Sequence, residues 1–313
     1  MNLSRAVHKY VTIKQSMGMV FETEATILRA FTLQMRPCIA VRKITSDAVL
    51  LYLNGRGPVT RFWHRKYDAL SGFWTFAIQR GYTDRSPLPP RQPKEPSPFV
   101  PHIYTHQELR RLLGGMAAYQ KEFRKLEPLT FRALLLLLYG AGLRVSEAIH
   151  LTCSDVDLAD ATLMIRQSKF YKTRRIAISP QLHGVLAEYD VDRRRVGHSR
   201  RDDAPFFTYK QGEPVERAAL EDAFLRLRQH VGVGSQGKHA QPRLHDLRHS
   251  FAVHRVIAWY RSGADVQLLL PGLATHLGHH DLEGTQRYLT MTPELLAEAS
   301  VRFEKYVGEV AHE

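Results

Sequence analysis

Between Ser86 and Pro101 the chain carries prolines at 87, 89, 90, 93, 96, 98 and 101. A proline has no backbone N–H to donate and a fixed φ, so neither a helix nor a sheet ladder can run through such a stretch. Extended polyproline is the conformation left, which predicts a stiff linker over 86–101. The 313 residues therefore divide into an N-terminal domain at 1–85 and a larger one at 102–313, each long enough to bury its own core.

The N-terminal part reads as several helices. Thr23 to Met35, Ser46 to Asn54 and Thr60 to Gln79 carry apolar residues at helical spacing. In the last of these Phe62, Trp63, Tyr67, Leu70, Phe73, Trp74 and Phe76 form an aromatic stripe, read as core packing in preference to stacking on bases. The C-terminal part opens on Thr105-His106-Gln107-Glu108, a capping box ahead of Leu109, Leu112 and Leu113. A strongly apolar helix from Phe131 to Leu143 closes at Gly140-Ala141-Gly142, and another starts at Ser146. Ala161 to Arg166 and Arg174 to Ser179 alternate in the manner of strands around the basic segment Ser168 to Thr173, which predicts a hairpin. Helices follow at Gln181–Asp190, Ala218–Val231, Leu247–Tyr260, Thr285–Leu289 and Pro293–Tyr306. The fold class is mainly α with a small antiparallel sheet.

The formal net charge is +13, with 15 Lys+Arg against 6 Asp+Glu in the first 100 residues. Such an excess suits a polyanionic partner, nucleic acid before a ribosomal or anionic-membrane surface. Two cysteines, Cys38 and Cys153, offer neither a C-x-x-C pair nor a disulfide framework, so a reducing cytoplasm is expected. The longest apolar run, Ala133 to Tyr139, falls far short of the roughly 20 residues that span a bilayer. A soluble cytoplasmic protein, not a membrane one, is the reading.

The chemistry concentrates in a few places. His245-Asp246-Leu247-Arg248-His249 places an imidazole and a guanidinium three residues apart, near one helical face. Leu277-Gly278-His279 follows, with Tyr288 nine residues beyond His279, and Gly142-Leu143-Arg144-Val145-Ser146-Glu147 lies upstream. Taken singly each has a mundane explanation: an arginine paired with Glu147, a solvated face, a loop histidine, a packing tyrosine. Together they supply what metal-free phosphodiester cleavage requires. Planar guanidiniums match charge growing on non-bridging oxygens, a lysine or histidine protonates a leaving oxygen, and a tyrosine activated by nearby cations attacks phosphorus.

The order Gly-Leu-Arg-x-Ser-Glu, His-x-Leu-Arg-His, Leu-Gly-His and a tyrosine nine residues on resembles the tyrosine recombinases, the phage-integrase and Xer-like family, over about residues 105–300. The resemblance implies a helical SAM-like core-binding domain at 1–85 and an α+β catalytic domain at 102–313. It assigns Arg144 and Arg248 to the scissile phosphate. His245 and His279 would hydrogen-bond that phosphate or assist proton transfer, and Tyr288 would form the 3′-phosphotyrosine bond. Glu147 would orient Arg144. The general acid would be a lysine of the hairpin turn, Lys169, with Lys172 as the alternative because the turn departs from the commoner Gly-Lys-Gly.

Neither metal nor other cofactor is implied. His245 and His249 lie four residues apart, but the glutamate of a His-Glu-x-x-His zinc site is missing and Arg248 between them would repel a cation. No phosphate-binding Gly-x-x-x-x-Gly-Lys loop is present, and a phosphotyrosine conserves the bond energy that ATP would otherwise provide. The expected partners are double-stranded DNA sites and further copies of the chain in a tetrameric synapse, with accessory recombinases in some systems. The amphipathic tail Pro293 to Val307 packs on its own domain or, as often in this family, on a neighbouring protomer. Leu270 to His276 looks more like recombinases borne on mobile elements. A type IB topoisomerase, or a DNA-binding module without catalysis, is the alternative.

Overall fold

The computed structural model describes all residues except 97–98, 120–125, 167–172, 235–240, 279–282, 287, 289–294, 296, 299 and 302–313. The chain splits into two compact units, Met1–Pro98 and Phe99–Glu313. Among the described residues no helix is long and apolar enough to cross a membrane.

Unit 1 contains four helices, α1 (Leu3–Ser16), α2 (Glu22–Gln34), α3 (Ser46–Asn54) and α4 (Arg61–Gln79), with α1, α2 and α3 packed on α4. Helix α1 is absent from the sequence reading, although Leu3, Ala6, Val7, Tyr10 and Val11 give it a buried stripe at helical spacing. The aromatic stripe of α4 is core packing: Trp63, Leu70, Phe73 and Trp74 are buried, while Phe62 at the edge is half exposed. Fully burying one such ring contributes roughly 1.5–3 kcal/mol. Part of the proline segment lies along this unit. Tyr67 Oη donates to the Pro89 carbonyl at 3.1 Å, His64 Nδ1 meets Gln92 Oε1 at 3.1 Å, and Leu88 packs against the core.

Unit 2 begins with α5 (His106–Tyr119), α6 (Pro128–Gly140) and the one-turn α7 (Val145–Ile149). The expected capping box is in place at the start of α5, with Glu108 N donating to Thr105 Oγ1 at 3.1 Å and Thr105 N donating to Glu108 Oε2 at 2.8 Å. An antiparallel sheet of β1 (Val156–Asp157), β2 (Thr162–Ile165) and β3 (Arg174–Ala177) comes next. The hairpin is the one expected, closed by the pair Ile165–Arg174, and β1 adds a strand that the alternation did not predict. Then come α8 (Pro180–Arg195), α9 (Arg217–His230), α10 (Asp246–Arg261), α11 (Val266–Leu277) and the short α12 (Glu283–Gln286).

The sequence reading places no helix over Val266–Leu277, and Pro271 stands inside the one the structure forms there. The structure keeps the helix through it. Pro271 and Gln267, whose carbonyl it cannot bond, are both exposed, so the lost acceptor falls on the solvent side of the helix.

Two apolar clusters form the core of unit 2. The larger gathers α5 to α9 and the sheet around Phe131, Leu134, Leu137 and Leu143. The smaller holds α10 and α11 together around Val253, Val256, Leu273 and Leu277, with Tyr288 and Leu295 among its buried members. The candidate site lies on the seam between them.

Candidate active site

Gly142 brings the two clusters into register. Its φ of +62° is left-handed, and a Cβ there would stand 2.4 Å from Phe251 Cδ1 and 3.0 Å from Leu277 Cδ2. Only glycine gives both the turn and this approach. The chain then enters α7 with Arg144 as its N-cap. Three residues on, Glu147 reaches back: Arg144 N donates to Oε2 at 3.0 Å and Arg144 Nη1 to Oε1 at 2.5 Å. The remaining fork of Arg144 donates from Nη2 to the Gly278 carbonyl at 2.8 Å.

Arg248 projects from the first turn of α10 and is 2% exposed. Nη1 donates to the Gly142 carbonyl at 2.8 Å and Nη2 to the Leu277 carbonyl at 2.6 Å, so one guanidinium holds a residue from each side of the seam. Glu147 Oε2 lies 3.8 Å from the same Nη1. Burial, then the neighbouring Arg144, pulls Arg248 down to about 10, which leaves it charged at neutral pH.

A third arginine completes the group. Arg174 meets both oxygens of Glu147, from Nη1 at 3.1 Å and from Nη2 at 2.9 Å. Burial pushes the Glu147 carboxyl up, but the hydrogen bonds and charge of Arg174, followed by those of Arg144, outweigh it and hold the group at about 2. Three guanidiniums thus surround one carboxylate, a net surplus of two positive charges beside the side chain of Arg144, which is 23% exposed. That is a ready receptacle for a phosphate.

His245 is the N-cap of α10. Burial, with Arg248 and Arg243 next in weight, lowers it to about 4. Its ring is therefore neutral at pH 7 and offers one N–H and one lone pair. Tyr288 is 1% exposed, and its Oη lies 3.1 Å from His249 Nδ1. The phenol thus rests inside the smaller cluster, bonded to the second histidine of the His-x-Leu-Arg-His run.

The structure brings together Arg144, Glu147, His245, Arg248 and Tyr288 at one end of the seam. His279, Lys169 and Lys172 lie outside the described residues. Two participants were missed from the sequence. Arg174 stands in the basic hairpin without a role there, and its contacts with Glu147 and His276 span 27 and 102 residues, a separation no local pattern reports. His249 sits beside a recognised arginine, and only the fold brings Tyr288 to it.

Residues 103–294 match the model of the phage integrase family. A putative integrase/recombinase of Sinorhizobium fredii is 34% identical over 312 residues, which covers 96% of this chain and 95% of the relative. The tyrosine recombinase XerC of Pediococcus pentosaceus is 28% identical, covering 86% of this chain and 83% of that protein. Among solved structures, a lambda integrase tetramer bound to a Holliday junction superposes with a TM-score of 0.68 at 18% identity, over 92% of this chain and 77% of that one. The fold, the three arginine- and histidine-bearing segments and these matches agree: the chain belongs to the phage integrase family, the tyrosine recombinases.

Proposed function

We propose that this recombinase cuts and rejoins double-stranded DNA at specific sites, with Tyr288 as the nucleophile and Arg144 and Arg248 holding the scissile phosphate. The observation that carries the reading is the cluster of Arg144, Arg174 and Arg248 about Glu147, with Tyr288 close enough to Arg248 to influence its charge. Tyr288 Oη, its proton passed to the His249 ring nitrogen 3.1 Å away, forms a bond to phosphorus, and the bond from phosphorus to the 5′-oxygen breaks. The DNA is left attached through its 3′-phosphate, and the leaving oxygen takes a proton from Lys169, or from Lys172 in its place. Rejoining reverses the step, a 5′-hydroxyl of the partner strand displacing the phenolate. One phosphodiester is exchanged for another, so the cycle needs no nucleotide.

Neutral His245 donates or accepts one hydrogen bond at the phosphate, and His279 bonds the same phosphate or assists proton transfer. Arg144 and Arg248 stabilise charge that exists only as the phosphorus becomes pentacoordinate, which lowers the barrier more than it tightens binding. Unit 1, with its excess of cations, adds a surface for the DNA backbone. Strand exchange between two sites requires four such chains, the assembly in which lambda integrase is seen on a Holliday junction. The similarity to integrase/recombinases suits movement of a mobile element.

Expressing the protein in cells, denaturing rapidly and sequencing the DNA attached to it is the test. Wild-type protein should carry one short recurrent sequence at its adduct junctions, and Tyr288→Phe should carry none while still binding that sequence. Adducts persisting in the Phe variant overturn the assignment of Tyr288. Adducts scattered without sequence preference point instead to a relaxing enzyme of the topoisomerase kind.

A further inference from the structure

We propose that Arg174 is a positioning residue of the strand-transfer site, locking β3 to the phosphate-binding arginines through Glu147 and the carbonyl of His276. The inference rests on Arg144 and Arg248 as the phosphate clamp and extends that reading by giving Arg174 a task of its own.

Arg174 is the residue at which the 166–173 turn re-enters the sheet, paired across to Ile165. A hairpin arginine beside a basic turn would ordinarily extend into solvent, as the exposed Arg175 does on the opposite face. The Arg174 side chain instead is 9% exposed and turned inward. Its Nε donates to the His276 carbonyl at 2.8 Å, Nη1 to Glu147 Oε1 at 3.1 Å and Nη2 to Glu147 Oε2 at 2.9 Å. One planar fork therefore joins three elements distant in sequence: β3, α7 and the end of α11. Burying so large a cation costs several kcal/mol unless its donors are met, and each of its three nitrogens has an acceptor here.

The position of this fork bears on the chemistry. Gly278 caps α11 with φ +65°, and a Cβ there would stand 2.8 Å from Arg174 Nη1 and 3.0 Å from its Cζ. The guanidinium thus lies flat against the turn that leads to His279. The Gly278 carbonyl on that turn accepts from Arg144 Nη2 at 2.8 Å. Arg174 supports both things that fix Arg144, the Glu147 carboxylate and the Gly278 carbonyl. Without it, Glu147 would be shared by Arg144 and Arg248 alone and would draw their N–H groups away from an incoming phosphate. The β3 end of the turn that carries Lys169 and Lys172 would lose its anchor as well. A lysine in this place gives a point charge but not the bidentate fork, nor a third donor for His276.

The test uses full-length protein and a nicked duplex carrying the sequence recovered from the cellular adducts, whose cleaved strand cannot be religated. Two quantities are read, the single-turnover rate of covalent attachment at saturating DNA and the non-covalent Kd. Arg174→Ala should slow attachment on the order of 100-fold, the scale set by about 1 Å of misplacement, with Kd within about threefold of wild type. Arg174→Lys should recover part of the rate, and Arg175→Ala should attach at the wild-type rate. If the Ala variant fails to fold, the Lys variant carries the test, with a rate loss at unchanged Kd as the supporting result. An undiminished rate in Arg174→Ala, or rate and affinity falling in equal measure, overturns the proposal. Failure of wild-type protein to attach overturns the Tyr288 reading and this one with it, an outcome distinct from failure of Arg174 alone.

Discussion

On the proposed reading, Arg144 and Arg248 direct positive charge at one phosphate without driving each other away from it. Glu147 makes this possible, because a carboxylate shared among three guanidiniums offsets one charge and leaves two. The same field acts on His245. Its burial and the cations of Arg248, Arg243 and Arg144 hold the imidazole at about 4 against an ordinary 6.5, with Asp246 opposing them. Between those two values the unfolded chain binds the proton and the native one does not, so stability rises with pH through that window and is complete above it. In a histidine NMR titration of the free Tyr288→Phe protein, the His245 resonance should therefore have its midpoint near 4. Binding DNA should move the midpoint upward, since a phosphate anion stabilises the protonated ring. A midpoint near 6.5 in the free protein would mean that the arginines do not surround this histidine. At this scale Arg144, His245, Arg248 and Tyr288 were legible as candidates because they stand in short runs of recognisable chemistry. Arg174 was not, because its role exists only once β3, α7 and the end of α11 have met.

Elements in unit 2 are joined by polar groups as well as by apolar ones. The segment leading into α5 is strapped to α10 through Tyr104, which is fully buried. Tyr104 N donates to Ser250 Oγ at 2.8 Å, and that hydroxyl in turn donates to the Asp246 carbonyl at 2.8 Å. Tyr104 Oη donates to the Arg243 carbonyl at 3.1 Å, two residues before His245. The strap thus determines where the first turn of α10 begins, and with it His245 and Arg248. Ser250→Ala strands a buried N–H, which should cost about 1–3 kcal/mol of stability. Tyr104→Phe removes the second bond and should cost less, and the two losses should be non-additive because both act on one contact between the same elements. Chemical unfolding of the single and double variants measures this; simple additivity would show that the strap is not a unit. Helix α1 shows that its apolar spacing was available in the sequence and simply went unread. Helix α11 is different, since Pro271 suppresses the pattern and only exposure to water at Gln267 explains why the helix survives.

Over the whole molecule, charge and core are arranged for different tasks in the two units. Unit 2 spends its arginines in part on internal bonds, with Arg193, Arg228 and Arg248 all buried. Unit 1 buries no lysine or arginine among its described residues, so its surplus of 15 cations over 6 anions in the first 100 residues stands at the surface. The proline segment made the division legible, because prolines at this density deny the backbone any ladder. A surface of this kind binds a polyanion largely by displacing its counterions, and that term is paid per phosphate whatever the base sequence. Non-covalent binding of the full-length Tyr288→Phe protein should therefore weaken steeply with salt. If about 6–10 phosphates are contacted, affinity should fall by roughly 10³- to 10⁵-fold between about 50 and 200 mM salt. Duplex of unrelated sequence should bind more weakly with a similar slope, because only the base-reading part is lost. Equilibrium titrations across a salt series provide both numbers. A flat salt dependence on the specific site would mean that the surface cations of unit 1 do not meet the DNA backbone.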